Sequence, residues 1–455
     1  MDVTVIEGCS IVTMDPAATE IDDGHVIVGG GRILAIGRGP APNDAYAVGS
    51  RRVDGRGCLL TPGLVNTHHH LYQWATRGLA ADDGLFGWLT TSYPIWRHLD
   101  EDIVRGAATT ALGQLALTGC TTSSDHHYVF PHDGGDVLGA TIDAAATIGL
   151  RFHATRGSMD LGRSQGGLPP DEVTEDRDVI LAASADAVAR WHDPSPSSMV
   201  QIALAPCSPF SVTGALLRES ATLARELGVR LHTHLAETAD EEAFCLERFG
   251  ARPVDYLADL GWVEGDVWFG HGIHLSDADI AAFASVGAGV AHCPSSNARL
   301  GAGIARLRDL TRAGVPVGLG VDGAASNESS SLVEELRHAL LFSRAKDGPE
   351  ALTVRQALAV ATLGGARVLG RADDIGSIEV GKQADLALWR LDALSHHGID
   401  DPVAALVLGS APPLEALLVG GRLVVEGDRL VTADQDELAT EAERVTRRLR
   451  EKSTT

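Results

Sequence analysis

The chain has 455 residues, 44% hydrophobic and 22% charged, an ordinary globular composition with enough apolar material for one large core and an appendage. A formal charge of −24 argues against nucleic acid or an anionic membrane as partner, because either would repel such a surface. No apolar run approaches the roughly 18 residues of a membrane helix, and Met1-Asp2-Val3-Thr4-Val5 shows no signal-peptide pattern.

Residues 1 to 58 read as short strands and turns: Asp2–Glu7, Ser10–Met14, His25–Val28 and Arg32–Gly37, punctuated by Asp22-Asp23-Gly24 and Gly29-Gly30-Gly31. From Leu59 the rhythm changes. Eight apolar segments alternate with stretches of helical period: Leu59–Thr67, Gly119–Asp125, Arg151–Arg156, Val200–Pro206, Val229–His234, Val267–His271, Gly289–Cys293 and Pro316–Asp322. Eight strands alternating with helices predict an α/β chain whose parallel strands close into a (β/α)₈ TIM barrel over 59–370. An open doubly wound sheet is the alternative, but no G-x-G-x-x-G or G-x-x-x-x-G-K-[ST] loop stands at any strand end. Residues 371–455 return to strands at Ala384–Arg390 and Ala416–Val419, then a hairpin through Gly420-Gly421 to Arg422–Glu426. Neither end has enough apolar surface to fold alone, so 1–58 and 371–455 are expected to meet in one small β-sandwich domain. A charged amphipathic helix after about residue 434 is expected to pack on the surface. Six cysteines lie far apart with no C-x-x-C pair, which suits reduced thiols in a cytoplasm.

In such a barrel the chemistry collects where strands end, since those ends open on one face. The first ends in His68-His69-His70, the second in Asp125-His126-His127, and the fifth in His232-Thr233-His234 with Glu237 beyond. The sixth ends in His271 with His274 following, the seventh in His292 before Ser295-Ser296-Asn297, and the eighth in Asp322. One such histidine is unremarkable packing. Five strands ending in histidine and a sixth in aspartate predict a metal site. Along a strand His68 and His70 share a face, about 7 Å of backbone apart, and His69 takes the other.

The run Pro62-Gly-Leu-Val-Asn-Thr-His68-His-His70, the His234-Leu-Ala-Glu237 block, the turn His271-Gly-Ile-His274-Leu, Gly320-Val-Asp322-Gly-Ala-Ala-Ser-Asn327 and Gly376-Ser-Ile-Glu-Val-Gly-Lys-Gln-Ala-Asp385 resemble the amidohydrolase superfamily along nearly the whole chain. The resemblance is strongest to the branch containing guanine deaminase, adenosylhomocysteine deaminase, the triazine hydrolases and 8-oxoguanine deaminase. It implies one divalent ion, Zn²⁺ or Fe²⁺, on His68, His70, His234 and Asp322, with a position open to water. It implies Glu237 as proton shuttle, Asp322 as ligand and proton acceptor, and His271, in preference to His274, as the group orienting the water or polarising the carbon. Relatives with two ions bridge them through a strand-four lysine. Here no lysine precedes Lys346 and strand four ends Ala205-Pro206-Cys207, so one ion is expected. Cys207 is read as an inert thiol lining the pocket, a second metal donor being the alternative.

Retention of Asp322, where a similar triazine hydrolase has threonine, favours hydrolytic deamination over displacement of a halide or thioether. Gln73 matches the glutamine that guanine deaminases set against the purine edge, and His127 is preferred to His126 as the strand-two residue facing substrate. Trp74, Trp88 and Trp96, with Tyr72 and Tyr93, could form a lid stacking on a flat ring, or could pack between loops. The segments around strands two, four and seven, including Arg299, are similar to the 8-oxoguanine deaminase group, which implies action on 8-oxoguanine or isocytosine. Guanine, cytosine or s-triazine hydrolysis is the alternative within the branch. The resemblance also implies a small nucleobase-like substrate and a homo-oligomer. A catalytically dead barrel is disfavoured by the complete residue set, and a ring-opening amidase by the absent lysine. The cytidine deaminase fold lacks its H-x-E…P-C-x-x-C signature here.

Overall fold

A computed structural model describes residues 3–43 and 50–454; Asp2, expected to open the first strand, lies outside them. Eight parallel strands form a closed barrel in strict chain order: Leu64–Asn66, Cys120–His127, Arg151–Ser158, Val200–Pro206, Leu231–Leu235, Val267–His271, Gly289–His292 and Val317–Leu319, the last pairing with the first. Helices such as Gly214–Leu227 and Asp277–Val286 follow their strands and end in left-handed glycines, Gly228 and Gly287. This is the expected (β/α)₈ architecture.

The expected single strand Leu59–Thr67 is in fact two. Cys58–Pro62 belongs to the β domain, paired with Leu386–Arg390 and Val3–Val12, whereas Leu64–Asn66 enters the barrel. Gly63 is the joint: a Cβ there would stand 2.2 Å from the Thr121 side chain, so only glycine lets the chain pass between the two sheets. The expected pair Asp2–Glu7 and Ser10–Met14 is conversely one strand, Val3–Val12, with a register shift around Gly8. Both chain ends meet, as expected, in one nine-stranded sheet, eight strands in an unbroken hydrogen-bonded path and Arg51–Asp54 pairing beside it with Val3–Val12. Its core gathers Ile6, Val26 and Leu60 from the N-terminal part with Leu386, Leu388 and Leu418 from the C-terminal part.

The final helix, Gln435–Thr454, lies along Glu101–Leu117 on the barrel's outside. Val445 and Leu449 are buried there, and Arg444 and Arg448 reach Asp102 and Asp100. Among the described residues no helix is long and apolar enough to cross a membrane.

The two domains are joined by a buried ion pair. Arg151, opening the third barrel strand, grips Asp385 with Nε at 2.6 Å and a terminal nitrogen at 3.1 Å, both side chains 1–2% exposed. Removing one partner of such a pair leaves an uncompensated buried charge. Arg151→Met should therefore lower unfolding free energy by about 3–5 kcal/mol in urea titration. A loss under about 1 kcal/mol, the range of surface pairs, would show that the pair is not load-sharing between domains.

Candidate active site and metal centre

Three strand ends carry their functional side chains on strained backbone. Ala236, directly before Glu237, has φ 53°, His271 has φ 69° and Asp322 has φ 62°. Left-handed conformations at non-glycine residues persist only where the surroundings enforce them, and they concentrate at functional sites. All three turn side chains toward one point above the barrel floor.

There, the ligating atoms of His68, His70, His126 and His234, and those of His68, His271 and Asp322, lie within 4.8 Å of one another in two groups that share His68. The Nε2 atoms of His70 and His234 are 3.1 Å apart, and Asp322 Oδ1 is 3.2 Å from His70 Nε2 and 3.4 Å from His68 Nε2. The other nitrogen of each ring is already committed. His70 Nδ1 donates to the His126 carbonyl at 2.7 Å, and His234 Nδ1 to the Cys207 carbonyl at 2.7 Å. A carbonyl only accepts, so both rings carry the proton on Nδ1 and turn Nε2 lone pairs toward each other.

His68 reaches the same state through a relay. His232 Nδ1 donates to the Trp268 carbonyl at 2.8 Å, so its Nε2 accepts from His68 Nδ1 at 2.7 Å. That leaves His68 Nε2 deprotonated, fully buried and without a hydrogen-bond donor among the described residues. Burial, and then the neighbouring imidazoles, hold His234 well below the usual histidine range, and burial does the same for His68. Three converging lone pairs beside one carboxylate repel each other unless a cation sits among them. The residue set fits a divalent ion.

His232 thus orients a ligand from behind, a role not assigned from the sequence. Its signal was present: it stands two residues before His234 on the same strand face. Outer partners of this kind typically matter 10–100-fold for metal affinity. His232→Ala should accordingly weaken zinc binding by about 10–100-fold in chelator competition, and unchanged affinity would remove the relay.

Glu237 is 3% exposed and places Oε2 at 3.5 Å from His271 Nε2. Burial, then the charges of Asp322 and Glu241, push its carboxyl well above the usual range. Burial alone would also raise Asp322, but positive charge at His68 and His70, carried by protonated rings or by a cation among them, outweighs it and holds that group well below the usual range. Ser296 donates to Asp322 Oδ2 at 2.6 Å and Ser326 at 3.3 Å, while Oδ1, which accepts the Gly323 N–H at 2.8 Å, turns its other lone pair to the centre. Asn297 Oδ1 lies 2.9 Å from His271 Nδ1 and fixes that ring. His274 instead bonds the Ala302 carbonyl from outside the cavity.

A pocket stands over this floor, walled by Leu85, Trp88, Leu89 and Tyr93 of the helix Leu85–Trp96 and by Tyr128, Phe210 and Leu300. Trp88 and Tyr93 therefore reach it, while Trp96 is buried behind them on Thr76, and Trp74 packs under Arg77. Cys207 lines the cavity as a thiol that burial pushes up to about 12, and it belongs to neither ligand group.

Two expectations need correction. His127 does not face the cavity: it bonds the Val129 carbonyl and packs on Tyr72 and Phe130. Strand alternation turns His126 inward instead, against His234 at 4.6 Å, and Tyr128 supplies the wall. Gln73 is not in the wall either. It is fully buried under Gly323, where a Cβ would stand 1.7 Å from its amide oxygen. Neither amide atom has a hydrogen-bond partner among the described residues. His69 belongs to neither ligand group; its Nδ1 accepts the His70 N–H at 2.8 Å.

The amidohydrolase family model matches residues 59–424. The chain is similar to an 8-oxoguanine deaminase of Pseudomonas aeruginosa, 47% identical over 408 residues, 89% of this chain and 90% of that one. It is 37% identical to hydroxydechloroatrazine ethylaminohydrolase of Pseudomonas sp. strain ADP, over 96% of this chain and 94% of the other. Among solved structures, atrazine chlorohydrolase from Arthrobacter aurescens TC1 complexed with zinc superposes with a TM-score of 0.92 at 34% identity, covering 97% of this chain and 100% of that one. The chain belongs to the amidohydrolase family, and its His-rich centre is the metal site of a hydrolase.

Proposed function

We propose that this protein is a zinc-dependent hydrolytic deaminase of a modified purine or aminopyrimidinone, with 8-oxoguanine, converted to urate and ammonia, as the first substrate and isocytosine as the second. The observation that carries the reading is the pair Glu237 and Asp322, two buried carboxyls at one centre whose proton affinities are pushed in opposite directions. Such a split assigns acid and base roles.

An ion held by His68, His70, His234 and Asp322 supplies a Lewis acid that acidifies water. Glu237, made a stronger base than a free carboxylate by burial, takes a proton from the attacking water and delivers it to the ring nitrogen. Asp322, kept ionised, accepts the second proton of that water and passes it to the amino group, which departs as ammonia. His271, with its Nδ1 side fixed by Asn297, turns Nε2 toward the carbon under attack. Leu85, Trp88 and Tyr93 exclude water and press on a flat ring. The 47% identity to an 8-oxoguanine deaminase favours this substrate over the alkylamino triazine of the 37% identical relative.

The test is ammonia release from 8-oxoguanine, isocytosine, guanine and cytosine in parallel, with hydroxylated triazines alongside. The highest kcat/KM is expected for 8-oxoguanine. No turnover of the four bases, or turnover of triazines alone, would overturn the substrate assignment.

A further inference from the structure

Glu335 lies on the helix Leu332–Asp347, outside the cavity wall, and is completely buried. Its two carboxylate oxygens serve different barrel strands. Oε2 accepts the Ser295 N–H at 3.1 Å, in the first turn of the short helix Pro294–Arg299 after the seventh strand. Oε1 accepts from Asn327 Nδ2 at 2.8 Å, in the loop after the eighth.

Both attachment points lead directly to the centre. The short helix carries Ser296, whose hydroxyl donates to Asp322 Oδ2, and Asn297, whose amide oxygen holds His271 Nδ1. The Asn327 amide also donates to the Val321 carbonyl at 2.9 Å, on the residue immediately before Asp322. Asp322 itself has the left-handed φ of 62°, a conformation that needs enforcement from its neighbours. Further restraints there include Asn66 Oδ1, which accepts the Val321 N–H, the His68 carbonyl, which accepts the Asp322 N–H, and the Gly323 N–H and Ser326 hydroxyl, which donate to the Asp322 carboxylate.

We infer that Glu335 is a positioning residue: it clamps the helix after strand seven to the loop after strand eight, keeping Asp322 and His271 in register with the histidines. The inference rests on the metal-site reading of Asp322 and not on any substrate. Its first readout therefore needs none.

Glu335→Gln keeps the side-chain shape but sets an N–H of its own against one of two N–H donors. Zinc-loaded protein should release zinc to a chelator about tenfold faster or more, in the range of outer-shell partners. On the best substrate of the panel kcat should fall by about the same factor, with KM within about threefold. Asn327→Ala cuts the same link from the other side, and it carries the test if the first variant does not fold. The double variant should lose less than the sum of the two singles, because they share the Glu335–Asn327 contact. Zinc release and kcat within about twofold of the native protein, whatever happens to the urea midpoint, would overturn the assignment and leave Glu335 a packing residue. Additive losses in the double variant would overturn it as well.

Discussion

Glu237→Gln should cost about 10²–10⁴-fold in kcat while the metal content stays at the native level. Glutamine keeps the size and burial of the side chain, so the cavity wall and the His271 neighbour are preserved. It cannot take a proton from water and return it to a ring nitrogen, which is the step asked of Glu237. The residue is in neither ligand group, so metal should not leave with it. Metal analysis and ammonia release on one preparation separate the two effects. Activity within about tenfold of native would take the shuttle role from Glu237, and loss of metal would make it a ligand instead.

His68→Ala and His70→Ala should lose the ion, and His69→Ala should keep it. The three are consecutive, equally buried and alike in volume, so general destabilisation would strike them equally. What distinguishes them is direction. His68 and His70 present Nε2 to Asp322 Oδ1 at 3.4 and 3.2 Å, whereas His69 is turned against the His70 backbone. Each ligand variant should bind zinc far more weakly than the 10–100-fold expected for His232→Ala, because it deletes a first contact rather than its support. Equal metal retention in all three would remove the centre from this strand end.

Much of this architecture is legible in the residues alone. Eight apolar segments with helical spacers have few other ways to pair, and the barrel places their ends on one face whatever the loops do. The ligand set implied by the family resemblance draws on the same strand ends, and His68 and His70 turn to one point although both lie beyond the strand, which ends at Asn66. Finer features escape for identifiable reasons. The run from Leu59 to Thr67 is largely apolar, and the Pro62-Gly63 breaker inside it does not by itself say that the two halves join different sheets. Strand two reads Thr121-Thr122-Ser123-Ser124, small hydroxyls on both faces, and gives no parity to decide between His126 and His127. The buried pair Arg151 and Asp385 is separated by 234 residues, beyond any local signal. Ser296, Asn297 and Glu335 act by holding other side chains, and such roles become visible only once partners are adjacent in space.

The proposed reaction exchanges an amino group for oxygen at a ring carbon. Zinc-loaded protein with 8-oxoguanine in ¹⁸O-labelled water, followed by mass spectrometry of the product, tests it most directly. The account predicts urate carrying one labelled oxygen with one ammonia released per molecule consumed. A ring-opened product that has gained a whole water without releasing ammonia would contradict it.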